Sequence, residues 1–465
     1  MELLEIIVGK VNGILWDYVL IFGLVGVGVL CSFTLGFPQI RRFGTAAKRV
    51  FGGIFKKEES KKGSMSSFQA LATCIAAQIG TGNVAGVATA ISLGGPGAVF
   101  WMWVSAFFGM STIFVEATLA QKYRETTEDG QLVGGPAYYI KNGLGSKALA
   151  SFFAIALIIA LGFIGNMVQS NSIADAVSRA FNIPQIAVGF GIAILAGLIF
   201  IGGMKRIATF AELVVPVMAV VYLVGTVVVM VIFRENIIPA LKMIVVAAFN
   251  PQAVMGGAAG VGIQQAVRFG IARGLFSNEA GMGSTPNSHA VADVNHPAEQ
   301  GLSAMMAVFI DTMLVCTATA LVILTTGANN LDLAGAGITQ QAFNIAFGPG
   351  GEKFLAVCLT FFAFTTVVGW YYFGENNIRF LFKDNNAIKA YQLIVLAFIV
   401  IGSSQRVDFV WNLADMFNGI MVIPNLIALV FLVKESKSIL QDYDEQNQKG
   451  VRLNFKYKYQ QQTNE

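Results

Sequence analysis

The chain has 465 residues, of which 55% are hydrophobic and only 12% are charged, and its mean hydropathy is +0.65. Soluble domains carry about 25% charged residues, so this composition excludes an ordinary soluble fold and indicates a protein that crosses a membrane several times. The net charge of +4 is small, and the basic residues are spread over many loops. We therefore expect the lipid bilayer as a partner and no nucleic acid.

Eleven apolar runs follow one another along the chain, and each has about the 20 residues that a membrane span needs. In chain order they cover residues 14–35, 68–93, 98–121, 149–174, 185–204, 207–233, 261–283, 301–326, 354–380, 387–403 and 409–433. The predicted fold class is an all-α polytopic membrane protein with about eleven transmembrane helices.

Basic residues divide unevenly between the two sides of this predicted bundle. The first run is followed by a basic stretch with amphipathic helical character, made up of Arg41, Arg42, Lys48, Arg49, Lys56, Lys57, Lys61 and Lys62. The side that holds this stretch and the tail carries 23 Lys and Arg, whereas the opposite side carries six. The positive-inside rule makes the basic side cytoplasmic, so we expect the N-terminus outside and the C-terminus inside. Attraction to anionic lipid accounts for the basic stretch.

The second run contains a sequence that a continuous helix does not favour at mid-membrane depth. Its centre reads QIGTGN, residues 78–83. Glycine weakens a helix interior, and broken backbone within a membrane survives only where protein or an aqueous cavity satisfies its polar groups. The pattern predicts a transmembrane helix that is unwound to bind a ligand. A packing face of small residues, with Gly82 and Gly86 at the required spacing, is the alternative.

The ten runs after the first divide into two sets of five. A unit with an odd number of spans that repeats once must return inverted, a plan that recurs in secondary transporters, with interrupted helices at corresponding positions. The first run of the second set also carries glycines and polar residues at mid-depth, between Gly270 and Gly281. The predicted divisions are residues 1–63 (an extra helix and the basic segment), 64–235 and 236–435 (the two five-helix repeats) and 436–465 (a cytoplasmic tail).

The first break is suited to an anionic group such as a carboxylate. The half-helix that begins near Thr81 points its free N–H groups at the break, where the helix dipole favours negative charge. Thr81, Gly82 and Asn83 are therefore candidate ligand contacts, and Gly82 lets the backbone approach closely. The structural alternatives are a hydrogen bond from Thr81 to its own helix and an interhelical hydrogen bond from Asn83.

The second break supplies a matching set of acceptors and walls. Carbonyls freed around residues 272–275 would accept from an ammonium group, and Gln78 is a weaker candidate for the same cavity. Ile271 and Leu275 are four residues apart and share one helix face. We expect them to exclude large side chains, because the smallest substrate is selected by steric exclusion of the others.

Three motifs in these segments resemble the alanine-or-glycine:cation symporter family. They are GTGNVAGVATAISLGGPGAVFWMWVSAFFGM (residues 80–110), ARGLFSNEAGMGS (272–284) and FAFTTVVGWYYFGE (362–375), and the similarity extends over nearly the whole chain. This family is similar in fold to the leucine-transporter type of the amino acid–polyamine–organocation superfamily. The resemblance implies sodium-coupled import of alanine or glycine across the plasma membrane of a prokaryotic cell, and we expect a protein that works as a monomer.

The resemblance also implies roles for individual residues. Gln169, in a polar patch of the fourth run, looks like a substrate contact, and Trp370 looks like a pocket wall. Thr365 and Thr366 offer adjacent hydroxyls of the kind sodium prefers, although membrane threonines commonly bond their own helix. The leucine-transporter plan sets such a pair opposite carbonyls that match Ala76 and Ile79, which makes these four residues the candidate sodium site.

Three alternatives remain open at this point. Proton coupling would use Asp311 or Glu212 as the titrating group. A channel would need a symmetric ring of ligands, which one chain with one pseudo-two-fold does not readily supply. An enzyme is not expected, because the sequence carries no nucleophile–base set, HExxH or P-loop and has only two histidines. The lack of a nucleotide-binding motif favours secondary transport over ATP-driven transport.

Overall fold

We describe the fold from a computed structural model over residues 2–53, 64–127, 130–250, 262–382 and 384–456. The helices in chain order are α1 (Glu2–Ile14, a π-turn at Leu15–Val19, and Leu20–Leu35), α2 (Pro38–Arg41), α3 (Phe43–Gly53), α4 (Ser67–Gln78), α5 (Gly82–Gly94), α6 (Gly97–Lys122), α7 (Pro136–Gly143), α8 (Lys147–Phe181), α9 (Gln185–Phe200), α10 (Gly203–Ile232), α11 (Ile237–Phe249), α12 (Ile263–Asn278), α13 (Pro286–Ala290), α14 (Pro297–Thr326), α15 (Ala336–Phe347), α16 (Pro349–Leu381), α17 (Asn385–Ser403) and α18 (Val407–Gln448). Short 3-10 turns lie at Arg234–Asn236 and Ala328–Asn330, and β1 (Glu125–Thr126) pairs antiparallel with β2 (Leu132–Val133).

The apolar helices confirm an all-α polytopic membrane protein. Eight of the described helices are long and apolar enough to cross a membrane, and the bent pair α4–α5 makes nine if it counts as one span. Two further predicted runs coincide with α9 and α12, which have 16 residues each. At 1.5 Å per residue such a helix covers about 24 Å, less than the hydrocarbon core of about 30 Å. The count of eleven spans therefore stays a prediction.

The first predicted break is confirmed between α4 and α5. A capping box of Ser66 and Gln69 starts α4. The helix ends at Gln78, and Ile79 leaves the helical conformation with ψ 88°. After the break α5 opens with a π-turn at Gly82–Gly86 and continues at 46° to α4. Some backbone N–H and C=O groups between α4 and α5 are therefore left without the hydrogen bonds of a continuous helix.

The second break lies later than predicted. We expected freed carbonyls at residues 272–275, but α12 is continuous to Asn278, and the carbonyl of Leu275 accepts from the Glu279 N–H at 2.9 Å. Gly270 serves close packing instead, since a Cβ there would lie 2.6 Å from the Cβ of Trp101 on α6. The helix ends where Glu279 takes a positive φ of 57°, and irregular backbone leads from there to α13.

Three helices, α8, α12 and α16, enclose the first break. α4 and α8 both pack against α16, and α5 packs against α12. The α4–α16 contact is close, because a Cβ on Gly369 would lie 3.0 Å from the Cβ of Ala77. The break is consequently buried among α8, α12 and α16, on the inside of the bundle.

The basic stretch and the tail both dock on the bundle where the structure describes them. Arg42 pairs with Asp444 and Arg49 with Glu299, so part of the stretch has protein partners as well as any lipid contact. Lys56, Lys57, Lys61 and Lys62 lie outside the described residues. Helix α18 runs past the predicted end of the last span at residue 433, because its buried side chains continue at helical spacing: Ser436, Ile439, Leu440 and Tyr443.

Candidate functional site

The first break is shaped by two glycines that lie against neighbouring helices. A Cβ on Gly80 would overlap the Thr366 hydroxyl of α16. A Cβ on Gly82 would lie 2.9 Å from the Cα of Ser277 and 3.3 Å from a ring carbon of Phe276, both on α12. A larger residue would displace the Thr366 side chain at position 80 and the backbone of α12 at position 82, so the glycines let α16 and α12 approach the break.

Three buried polar atoms at the break have no hydrogen-bond partner among the described residues: the Thr81 hydroxyl, Gln169 Nε2 and Gln78 Oε1. Their side chains are at most 2% exposed. The orientation of each amide follows from its other end, since Gln169 Oε1 accepts from the Thr81 N–H at 3.2 Å and Gln78 Nε2 donates to the carbonyl of Asn278. Buried polar groups are normally paired, and an unpaired one needs an explanation such as a ligand.

The unpaired atoms have complementary chemistry. Gln169 offers an N–H donor, Gln78 offers a carbonyl acceptor, and the Thr81 hydroxyl can act as either. A zwitterion presents a carboxylate, which accepts, and an ammonium group, which donates. The three atoms therefore suit both ends of an amino acid.

Asn83, also predicted as a weaker ligand contact, is fully engaged by protein. Its Oδ1 accepts from the Gly80 N–H at 2.9 Å, and its Nδ2 donates to Asp311 at 2.6 Å. Asp311 also accepts from Ser277 at 2.9 Å and Thr312 at 2.7 Å. Asn83 thus holds the break in shape and links it to α12 and α14, which corresponds to the interhelical alternative.

The predicted sodium residues are brought together in part. The Thr366 hydroxyl donates to the carbonyl of Ala76 at 3.0 Å and to its own helix at Phe362, so α16 meets the end of α4 where Ile79 leaves the helix. Thr365 donates to the Phe362 carbonyl at 2.8 Å and lies 3.6 Å from the sulfur of Met218 on α10. Thr366 and Ala76 are neighbours, whereas the contacts of Thr365 are with its own helix and α10.

The face of α12 that meets the break differs from the one predicted. Ile271 and Leu275 are buried, at 1% and 2% exposed, and their role as walls stays a prediction. The α12 atoms nearest Gly82 belong to Phe276 and Ser277, which lie about 100° and 200° around the helix from Leu275. Both residues stand inside the quoted ARGLFSNEAGMGS motif, but the sequence singles out neither of them.

Trp370 is enclosed on several sides. Its Nε1–H donates to Glu279 at 2.6 Å, and its ring meets that of Phe276 edge-on at 5.6 Å. A Cβ on Gly165 would lie 2.5 Å from the indole. Since Phe276 also approaches Gly82, the indole is joined to the break through one ring, and its role as a pocket wall stays a prediction.

The charges on α12 have partners that sequence spacing did not indicate. Arg273 and Glu279 are six residues apart in the sequence but do not pair with each other. Arg273 forms two 2.7 Å contacts with Asp415 of α18 and lies over the ring of Trp411. The pair is almost fully buried, with side chains 4% and 14% exposed, and it ties α12 to α18.

A bundle of apolar spans with a broken helix and unpaired ligand-type atoms at its centre defines a polytopic membrane transport protein. More specifically, the chain belongs to the sodium:alanine symporter family, whose model matches residues 1–457. It is a symporter family, so the chain is grouped with transporters and not with enzymes.

Three relatives illustrate the range of this family. The chain is 41% identical over 444 residues (93% of this chain, 96% of the relative) to the "Sodium/alanine symporter AgcS" of Methanococcus maripaludis. It is 41% identical over 461 residues (96% and 93%) to the "Putative sodium/proton-dependent alanine carrier protein YrbD" of Bacillus subtilis. It is also 41% identical over 451 residues (97% and 92%) to the "Probable sodium/glutamine symporter GlnT" of the same organism.

Proposed function

We propose that this protein is a sodium-coupled secondary symporter that imports small neutral amino acids, alanine or glycine or both, by alternating access. The observation that carries the proposal is the set of three unpaired buried atoms on Gln78, Thr81 and Gln169. The substrate carboxylate accepts from Thr81, from Gln169 and from backbone N–H groups near Gly82, where the start of α5 favours negative charge. The ammonium group donates to Gln78.

Sodium binds at the junction of α4 and α16 in this proposal. The ligands are the carbonyls of Ala76 and Ile79 and the hydroxyls of Thr365 and Thr366. Support comes from the 3.0 Å contact between Thr366 and the Ala76 carbonyl and from the description of the family. On binding sodium, Thr366 keeps its proton for the Phe362 carbonyl and turns a lone pair to the ion, while Thr365 must rotate away from Met218.

The small size of the substrate follows from the walls of the site. Gly80 and Gly82 are in van der Waals contact with α16 and α12, and the indole of Trp370 is packed against Phe276. With Ile271 and Leu275 as further walls, the proposed site would exclude side chains much larger than a methyl group. Relatives named for alanine and for glutamine share 41% identity with the chain, and we propose that these wall residues decide which of the two kinds of side chain is accepted.

The architecture that we propose is the leucine-transporter type. Residues 64–235 and 236–435 form the two inverted five-helix repeats, α1 is the extra span of residues 1–63, and the chain has eleven spans with a tail at 436–465. The N-terminus is outside and the C-terminus cytoplasmic in a prokaryotic plasma membrane, and the protein works as a monomer. The bent α4–α5 pair, and the end of α12 at Glu279 followed by the short helix α13, support the paired breaks.

Uptake into proteoliposomes tests the proposal. Purified protein is reconstituted, an inward sodium gradient is imposed at fixed pH, and labelled alanine uptake is measured with each amino acid in turn as competitor. We expect saturable uptake that needs sodium and is inhibited by glycine and alanine. No sodium-driven uptake of any small amino acid would refute it.

Proton coupling is the second candidate, and Asp311 favours it. This buried carboxylate accepts from Asn83, Ser277 and Thr312, and no ion pair joins it to a basic residue within the described ranges. Glu212, the other candidate, lies in the first third of α10 and accepts from Gln69 at 2.9 Å. Uptake driven by an inward pH gradient without sodium, and lost in Asp311→Asn, would establish this candidate.

A further inference from the structure

Glu279 is a buried carboxylate with an unusual position and an unusual partner. It ends α12 with φ 57°, a conformation that costs a non-glycine residue energy. One of its oxygens accepts from the Trp370 indole N–H at 2.6 Å, and the other accepts from the Ser284 hydroxyl. Among the described residues no basic side chain forms an ion pair with Glu279, so its charge is committed to these two donors.

The backbone that follows Glu279 is held by two neighbouring helices. Two residues further on, the Gly281 N–H donates to Glu116 of α6 at 2.9 Å, and the Gly281 carbonyl accepts from Asn425 of α18 at 2.9 Å. Together with the bond from Ser284, these contacts hold the backbone segment that follows Glu279. The carboxylate therefore cannot follow a moving indole, and the indole must stay where the carboxylate is.

Trp370 needs such an acceptor. The indole nitrogen is a donor only, and a buried one must be paired. A carboxylate makes a shorter and stronger bond than a neutral acceptor does. The ring is held against the open face of Gly165 and the edge of Phe276, but neither of these apolar contacts sets its rotation. Glu279 is the contact that does.

We infer that Glu279 is a positioning residue for substrate selectivity, because it fixes the orientation of Trp370 as a wall of the pocket. The inference rests on the proposed function. A pocket wall excludes larger side chains only if it stays in place. An indole that moves would make room for added methylene groups. Discrimination of one methylene group by a fitted pocket reaches roughly 10- to 200-fold, and this discrimination is what Glu279 protects.

The test compares Glu279→Gln with Glu279→Met in sodium-driven proteoliposome uptake. Gln keeps an oxygen for the indole, whereas Met has similar length and no acceptor. The measured quantity is the ratio of kcat/KM for 2-aminobutyrate to that for alanine, which differ by one methylene group. We expect this ratio to rise about tenfold or more in Glu279→Met and to stay near the wild-type value in Glu279→Gln.

A double-mutant cycle separates positioning from a general loss of structure. Phe at position 370 has no N–H to anchor, so adding Glu279→Met to Trp370→Phe should leave the ratio unchanged. If Glu279→Met lowers uptake of both substrates equally, with a constant ratio, Glu279 is merely structural and the inference is overturned. If Glu279→Met does not fold, Ser284→Ala decides, because it frees one carboxylate oxygen; a ratio equal to wild type then overturns the inference.

The outcomes also separate this inference from the proposed function. Wild-type protein that takes up no small amino acid under a sodium gradient contradicts the proposed function. Wild-type protein that transports alanine, with selectivity that does not respond to Glu279→Met or Ser284→Ala, contradicts the role of Glu279 alone.

Discussion

Removal of the free amide of Gln169 should weaken substrate binding without unfolding the protein. Gln169→Met keeps the length of the side chain but deletes the unpaired Nε2 and the acceptor for the Thr81 N–H. A hydrogen bond to a charged group contributes about 1.5–3 kcal/mol, and about 1.4 kcal/mol is a factor of ten in affinity. The loss of the donor to the carboxylate should therefore raise the Kd for alanine by about 10- to 150-fold.

Gln340→Met is the matched control for this change. Gln340 is also a buried glutamine with one paired and one unpaired end; its Nε2 donates to the carbonyl of Ala176, and its Oε1 has no partner among the described residues. Its hydrogen bond is to the C-terminal part of α8, seven residues beyond Gln169, and to none of residues 78–83, so Gln340→Met should leave the Kd unchanged. Calorimetric titration of alanine at saturating sodium measures both, with thermal unfolding as a check of folding. A Kd for Gln169→Met within twofold of wild type, in a folded protein, would refute the assignment of Gln169.

Two further predictions concern the sodium site and the glycines of the break. Thr366→Ala should raise the sodium concentration for half-maximal uptake about tenfold or more, since it removes an oxygen ligand. Thr360→Ala is the control, because the Thr360 hydroxyl bonds its own helix at 2.7 Å, and it should not change this concentration. Equal sodium dependence in the two variants would contradict the proposed sodium site. Gly82→Ala sets a methyl group 2.9 Å from the Cα of Ser277, an overpacking of about 1–3 kcal/mol, and should abolish uptake. Gly86→Ala should retain uptake, because the nearest atom to its added methyl group is 3.8 Å away. Loss of uptake in both variants would favour the packing-face interpretation.

The first break could be predicted from the sequence because its composition is incompatible with its depth. Glycine and polar residues at the centre of an apolar run are costly unless the backbone is used for something. The same signal misplaced the second break, because Gly270 lets α6 approach, and the turn is made by Glu279, with help from Gly281 at φ 90°. A glycine that serves packing and one that serves a turn look alike until the neighbouring helix is known.

The pairing of charges was equally hidden. Arg273 and Asp415 are 142 residues apart, so no local spacing could connect them. Burial of an unpaired charge is strongly unfavourable. A buried charged residue therefore predicts that a partner exists, but not which residue that partner is. Phe276 and Ser277 lie within the ARGLFSNEAGMGS motif. Which face of α12 meets Gly82 depends on how α12 packs against α5, and sequence periodicity alone does not give that packing.

The position of the two proposed sites on one segment supplies a physical basis for coupling. Ala76 and Thr81 are five residues apart and flank the unwound turn at the end of α4. An ion bound by the carbonyls on one side would stiffen the turn that presents Thr81 to the substrate on the other side. Each ligand then lowers the ordering cost of the other, which is a coupling free energy and is reciprocal. Asn83 and Ser277 both bond Asp311, so the same turn is joined to α12. The two ligands together would therefore bias the contact between α5 and α12.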